Sequence, residues 1–207
     1  MRFWPARKVF IDGRCLVYGD DLIRQALKVE DGAEGWQEVL RRWKVKMLIL
    51  RYGKRPAAHI FADDRWRCVY WDDTALVALR DDVYEERRPG LPELKLSNPG
   101  LRPDRFENVD IAALMEELDI VLARTPECGG ALAARVRCLV RLAPERPEDS
   151  RGMLQDALKA ARQAVKLFPA SALSWRALSE AASATGDDKL AASAAAKAAR
   201  LKENQQY

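Results

Sequence analysis

The second half of the chain constrains the fold most, because from Glu107 onward its apolar residues recur with a helical period and no strand-like alternation appears. The pattern predicts helices over about residues 107–125, 129–143, 151–168, 171–185 and 187–203. The third helix carries one apolar stripe, formed by Leu154, Ala157, Leu158, Ala161, Val165 and Phe168. We therefore expect an all-α domain over residues 107–207, with alanine at the close helix contacts.

The last two predicted helices also carry a repeat-like pattern. The stretch ASALSWRALSEAASATGDDKLAASAAAKAARLKE resembles a tetratricopeptide repeat at Trp175, Leu178, Ala182, Gly186, Ala191 and Ala198, although Ser179 and Ala195 depart from it. Ala157 and Ala164 precede Ala191 and Ala198 by one period of 34 residues. An alanine-rich helical hairpin without repeat ancestry is the alternative interpretation.

The repeat resemblance implies a concave face for a protein or peptide partner. By the same alignment, Arg176 and Glu180 would point toward that face from the first helix of the last repeat. The alternative is that both are solvated surface charges, and the helices then serve as a spacer or a dimer surface.

The first half, residues 1–84, mixes strand-like and helical segments. Strands are predicted over residues 7–12 and 45–51 and in RCVYW and ALVALR, and helices over 21–30, over 35–43 and in RPAAHIFADD. The order β-α-α-β-α-β-β predicts a small α/β sheet domain with an antiparallel hairpin at one edge. The continuous apolar run at 45–51 predicts a strand covered on both faces, and Trp36, Val39, Leu40 and Trp43 predict one buried helix face.

Residues 85–106 separate the two halves. They contain Pro89, Pro92, Pro99 and Pro103, so regular structure is not expected there. We interpret this segment as a proline-rich connector, stiffer than a Gly/Ser linker.

Composition excludes several functional classes. Charged residues make up 32% of the chain, no apolar run approaches a membrane span, and the net charge of +4 does not favour nucleic acid as a partner. His59 is the only histidine, and the four cysteines form no C-x-x-C pair, so no metal or cofactor is predicted. Cys68 and Cys138 are expected to be packed thiols, and a disulfide between Cys15 and Cys68 stays open.

A short motif opens the first half. Asp12, Gly13, Arg14, Tyr18, Gly19 and Trp36 resemble the extramembrane segment near the C-terminus of bacterial polytopic membrane glycosyltransferases of the protein O-mannosyltransferase type, although Cys15 departs from the pattern. The resemblance implies a soluble piece of a longer membrane protein, lying outside the cytoplasm, with the membrane region of its own parent as a partner. Asp12, Arg14 and Tyr18 form either a structural lock or a site where Arg14 holds a phosphate or carboxylate.

The stretch VFIDGRCLVYG also resembles the opening of PIN-like metal-dependent nucleases. In that interpretation Asp12 is a metal ligand, and Asp63-Asp64 and Asp72-Asp73 supply further oxygens. Arg14 and Cys15 stand where that family has a polar residue. The leading expectation is a non-catalytic module that mediates protein contacts or supports the catalytic part of a larger membrane protein, and the nuclease is the alternative.

Overall fold

The computed structural model describes residues 19–51, 58–97 and 109–203. Two compact units are present, and each is described by itself. The first comprises Met1–Tyr70 and Ala75–Glu93, and the second comprises Trp71–Thr74 and Leu94–Tyr207. None of the described helices is both long and apolar enough to cross a membrane.

The first unit contains a small antiparallel sheet with short helices. Its elements are α1 (Gly19–Glu30), α2 (Trp36–Arg42), β1 (Met47–Arg51), α3 (Ala58–Phe61), β2 (Trp66–Trp71), β3 (Ala75–Arg80) and α4 (Asp81–Arg87). The strand order is β1-β3-β2, and Met47 of β1 lies opposite Leu79 of the antiparallel β3. The predicted β2–β3 hairpin is confirmed, whereas the predicted strand at 7–12 lies outside the described residues.

Strand β1 is covered on one face only, so the prediction of a strand buried on both faces is wrong. Leu48 is 7% exposed, but Met47 is 50% and Ile49 is 65% exposed. The reason is that β1 is the outermost of the three strands that the structure describes, so its side chains are less covered than those of β3. On the face that Met47 shares with Leu79, the apolar cluster is built on Val69, Leu79 and Tyr84, which belong to β2, β3 and α4.

Helix α2 buries only part of its predicted apolar face. Trp36, Val39 and Leu40 are buried, but Trp43 is 45% exposed. The helix ends at Arg42, so Trp43 already lies beyond its last turn, and its indole N–H donates to Gln25 Oε1 at 2.9 Å. The expectation that Trp43 completes a buried stripe is therefore wrong.

Regular structure extends into the predicted connector. Helix α4 continues to Arg87, and a 3₁₀ turn spans Arg88–Gly90 with Pro89 in its first turn. Proline is compatible with this position because its missing N–H would have no helical partner there. Further along, Leu94 and Ser97 are buried.

The second unit is a layered arrangement of helices. Its main elements are α5 (Ile111–Arg124), α6 (Gly129–Leu142), α7 (Ser150–Leu167), α8 (Ala172–Ala184) and α9 (Asp188–Glu203). All five predicted helices are confirmed. Helix α6 packs on α5, α7 and α8, and α8 packs on α7 and α9. The closest contacts use alanines that are fully buried, namely Ala157, Ala161, Ala164, Ala177, Ala181 and Ala194.

Two helices of this unit have side-chain caps at their N-termini. Asp110 accepts hydrogen bonds from the N–H groups of Ala112 and Ala113, and Ser171 accepts one from Ser174. Both satisfy donors that have no partner within the helix. These caps fix where α5 and α8 start.

Candidate functional site

An open groove of about 380 Å³ crosses α5, α6 and α7 of the second unit. It is lined by Asp119, Leu122, Pro126, Leu132, Arg135, Asp156, Lys159, Ala160 and Gln163. Four of these residues come from α7 at helical spacings of three and four, which places them on one side of the helix. Its volume falls in the range of small-ligand and side-chain pockets.

The groove carries charges of both signs around apolar surface. Arg135 Nε lies 2.9 Å from Asp119 Oδ1, and the Asp119 side chain is still 57% exposed. Asp156 and Lys159 are exposed on α7. Carboxylates of Asp119 and Asp156 and the ammonium group of Lys159 are therefore accessible beside the apolar side chains of Leu122 and Leu132.

The two residues predicted for a partner face lie elsewhere on the unit. Arg176 is exposed on α8. Glu180 Oε2 accepts a hydrogen bond from Arg137 Nε of α6 at 3.0 Å, and Arg137 is only 6% exposed. Neither Arg176 nor Glu180 lines the groove, and Glu180 serves an ion pair between two helices.

The motif residues Asp12, Arg14 and Tyr18 lie outside the described residues. Of the other carboxylates considered as metal ligands, Asp63 accepts hydrogen bonds from Arg65 Nε at 2.8 Å and Nη2 at 2.5 Å. These bonds hold the pKa of Asp63 below its ordinary value. Within the described residues, no group of three or more His, Cys, Asp and Glu side chains is arranged to hold a metal ion.

The turn between β2 and β3 supplies a cap for α6. Asp73 accepts hydrogen bonds from the N–H groups of Gly129 at 2.5 Å and Gly130 at 2.8 Å, while Asp72 Oδ1 accepts from Thr74 N at 2.7 Å. Burial raises the pKa of the adjacent Cys128 to about 12, and the charge of Asp73 adds to this effect. Cys128 is therefore a packed thiol and not an activated nucleophile.

His59 and the cysteines have packing roles. The His59 ring lies 2.8 Å through Nε2 from the carbonyl oxygen of Val29 and meets Trp36 edge to face at 4.9 Å. Burial lowers its pKa. Cys68 and Cys138 are buried, as predicted. Cys15 lies outside the described residues, so the disulfide between Cys15 and Cys68 stays an open prediction.

Glu117 of α5 holds a piece of extended chain that precedes it. Its carboxylate accepts backbone hydrogen bonds from Lys95, Leu96 and Ser97 at 2.7 to 3.1 Å. Successive N–H groups of this kind form a concave site for an anion. Here the protein's own carboxylate occupies that site, so it is a structural contact.

Sequence reasoning missed the groove because its residues come from three helices. The ion pair between Asp119 and Arg135 spans 16 residues, and nothing in either local pattern links the two positions. The one available signal was the spacing of Asp156, Lys159 and Gln163, which places polar side chains along one side of α7 beside its buried alanines. No protein-family model, curated protein or solved structure matches this chain.

Proposed function

We propose that the second unit is a non-catalytic protein-interaction module and that the groove across α5, α6 and α7 binds a short peptide segment of its partner. The groove itself is the observation that carries the proposal, because it combines apolar surface with accessible charges of both signs. Such a lining suits a peptide with an apolar anchor residue between a basic and an acidic residue.

The helical packing supports this function. Helix α6 contacts both α7 and α8, so it is held by neighbours along its length, and the alanine contacts leave little space for rearrangement. A rigid groove reduces the entropy lost on binding. The tetratricopeptide-like pattern of the sequence points to the same class of function.

Selection of 12-residue peptides from a random display library against the full chain tests the proposal. We expect the selected peptides to contain an apolar residue flanked by opposite charges and to shift the amide resonances of α5 to α7. Lys159→Glu should weaken their binding about tenfold, by loss of one charge-assisted contact. Lys166→Glu makes the same charge change on an exposed position of α7 outside the groove and should leave affinity unchanged.

Three results would contradict the proposal. The first is that no peptide is enriched over the unselected library, and the second is that the shifted resonances map away from the groove. The third is that Lys159→Glu and Lys166→Glu lose the same peptide affinity, because this would show a nonspecific effect of charge.

A further inference from the structure

Residues 41–51 of the first unit, which we name the basic apolar strip, combine exposed apolar side chains with positive charge. These eleven residues include Arg41, Arg42, Lys44, Lys46 and Arg51 and no carboxylate. Two carboxylates lie beside the strip, since Glu38 pairs with Arg41 and Asp82 lies near Lys46. Five large hydrophobic side chains are exposed in the described part of the chain. Three of them belong to this strip, namely Trp43 at 45%, Met47 at 50% and Ile49 at 65%.

Strand geometry gathers part of the strip on one surface. Alternation along β1 places Met47, Ile49 and Arg51 on the same face of the sheet. Leu48 points to the opposite face and is buried. Because β1 is the outermost of the described strands, the exposed Met47 and Ile49 lie at that border of the three-stranded sheet.

The turn that leads into β1 keeps a lysine where glycine is usual. The N–H of Lys44 donates to Arg41 O at 3.0 Å, and that of Val45 donates to Leu40 O at 2.9 Å, which are the two bonds of a Schellman motif. Lys44 has φ of 49° in this motif. A non-glycine residue is disfavoured in that conformation, yet the position carries an exposed cation beside Trp43.

We propose that the basic apolar strip docks on the surface of an anionic phospholipid bilayer. Its cations complement phosphate and carboxylate headgroups, each contributing about fivefold to partitioning. Met47 and Ile49 supply aliphatic groups that enter the acyl boundary, and an indole ring such as that of Trp43 is suited to the interface. The inference concerns the first unit and does not depend on the peptide groove.

Two other occupants fit the strip less well. Single-stranded nucleic acid is held by aromatic side chains that stack on successive bases, whereas the strip has one exposed ring, that of Trp43, and the aliphatic Met47 and Ile49 cannot stack. A second copy of the strip would bring five cations against five, which opposes pairing. Of these three occupants, an anionic bilayer best matches both the positive charge and the aliphatic side chains.

Flotation of the full chain with vesicles tests this proposal. We expect partitioning onto vesicles of 70% phosphatidylcholine and 30% phosphatidylserine to exceed that onto pure phosphatidylcholine at least tenfold at about 0.1 M salt, and to fall steeply at 0.5 M salt. Arg42→Glu with Lys46→Glu should reduce partitioning more than tenfold. Met47→Ser with Ile49→Ser should reduce it severalfold at unchanged charge.

Matched controls separate the strip from general effects. Lys166→Glu with Lys197→Glu makes the same charge change on exposed positions of α7 and α9, and Ile120→Ser alters an exposed aliphatic residue of α5. Both should bind vesicles like the parent chain. The proposal is overturned if the controls lose as much vesicle binding as the strip variants, or if the parent chain does not bind anionic vesicles. It is also overturned if, without vesicle binding, the strip is required for binding of a 20-nucleotide RNA or for dimerisation in sedimentation.

Discussion

Gly32 and His59 depend on each other in the first unit. Gly32 has φ of 62°, and a Cβ added there would lie 2.6 Å from His59 Cγ. The turn after α1 therefore requires glycine both for its backbone conformation and for the space that the imidazole occupies. The His59 ring then reaches the carbonyl of Val29 and the face of Trp36.

Gly32→Ala should destabilise the protein by about 2–4 kcal/mol, the sum of left-handed strain and a clash with the His59 ring. Gly35→Ala is the matched control in the same unit. It has φ of 78°, and its new Cβ would meet only the flexible end of Lys28, at 3.1 Å. That variant should lose about 1–2 kcal/mol. Urea unfolding measures the stability of both variants. Equal losses of stability would mean that the His59 ring does not clash with a Cβ at position 32.

His59 should make the stability of the protein fall as the pH falls through about 6.5. Burial lowers the pKa of His59 in the folded state below its ordinary value of 6.5, so the unfolded chain binds the proton first. The contribution is complete above pH 6.5 and is lost between that pH and the lower folded-state pKa. His59→Gln removes this slope but keeps a donor toward Val29.

The free energy of unfolding, followed by urea titration from pH 7.5 to 5, gives the measurement for both chains. Carboxylates contribute alike to the curves of the parent chain and of His59→Gln. The difference between the two curves therefore isolates the contribution of His59 to stability. Parallel curves would contradict the assignment.

At the scale of elements, helix α6 begins with a cap from a distant turn. Asp73 precedes Gly129 by 56 residues in sequence, yet its carboxylate binds the first two N–H groups of the helix. A negative charge at a helix N-terminus is also favoured by the helix dipole. The start of α6 therefore depends on a residue of the β2–β3 turn.

Asp73→Asn should cost about 1–2 kcal/mol, because the charge is lost while one acceptor oxygen remains, and Asp73→Ala about 2–3 kcal/mol. Asp72→Ala is the control in the same turn. Asp72 Oδ1 accepts from the nearby Thr74 N–H, and this substitution should cost less than 1 kcal/mol. Hydrogen exchange of the amides of residues 129–132 reports the effect locally. Similar exchange in the Asp72 and Asp73 variants would argue against the cap.

Most elements could be predicted from local pattern. The five helices of the second unit have a sustained apolar period, and strands β2 and β3 have β-branched and aromatic residues around a clear turn. The burial of residues at the ends of elements is harder to predict from the sequence. Trp43 keeps the helical spacing of Trp36 and Leu40, but α2 ends one residue before it, and spacing carries no information about where a turn closes.

At the scale of the whole molecule, a buried ion pair joins helices that are far apart in sequence. Arg137 of α6 and Glu180 of α8 lie 43 residues apart, and Arg137 Nη2 is buried without a hydrogen bond. The pair therefore satisfies this arginine only in part. Removing its carboxylate leaves a cation with 6% exposure and no counter-ion.

Glu180→Leu should lower the free energy of unfolding by about 2–3 kcal/mol. Breaking a fully buried ion pair would cost more, because Glu180 is one third exposed. Arg137→Met combined with Glu180→Leu should recover most of that loss, since no unpaired charge remains. Arg176→Gln, on the exposed side of the same helix, should change stability by less than about 0.5 kcal/mol. Thermal or urea unfolding measures the stability of these three variants relative to the parent chain. A double variant that is no more stable than Glu180→Leu would contradict this account.

The candidate site could not be predicted because its parts meet only after folding. Glu180 was expected to face a partner from its place in a repeat pattern, but its neighbour is fixed by how α6 packs on α8. Likewise, Asp119 and Arg135 belong to separate helices. Periodicity tells which face of each helix is apolar, but it does not tell which charged side chains of two faces will oppose each other.

The carboxylates of Asp73 and Glu117 also impose an order on biosynthesis. A ribosome releases residue 73 long before it adds Gly129 and Gly130, and it releases the N–H groups of residues 95–97 before Glu117. Until then these groups cannot make the hydrogen bonds that they have in the folded chain. Strands β2 and β3 can pair early, but the turn between them and the segment at 95–97 reach their final hydrogen bonds only after α5 and the first turn of α6 have been translated.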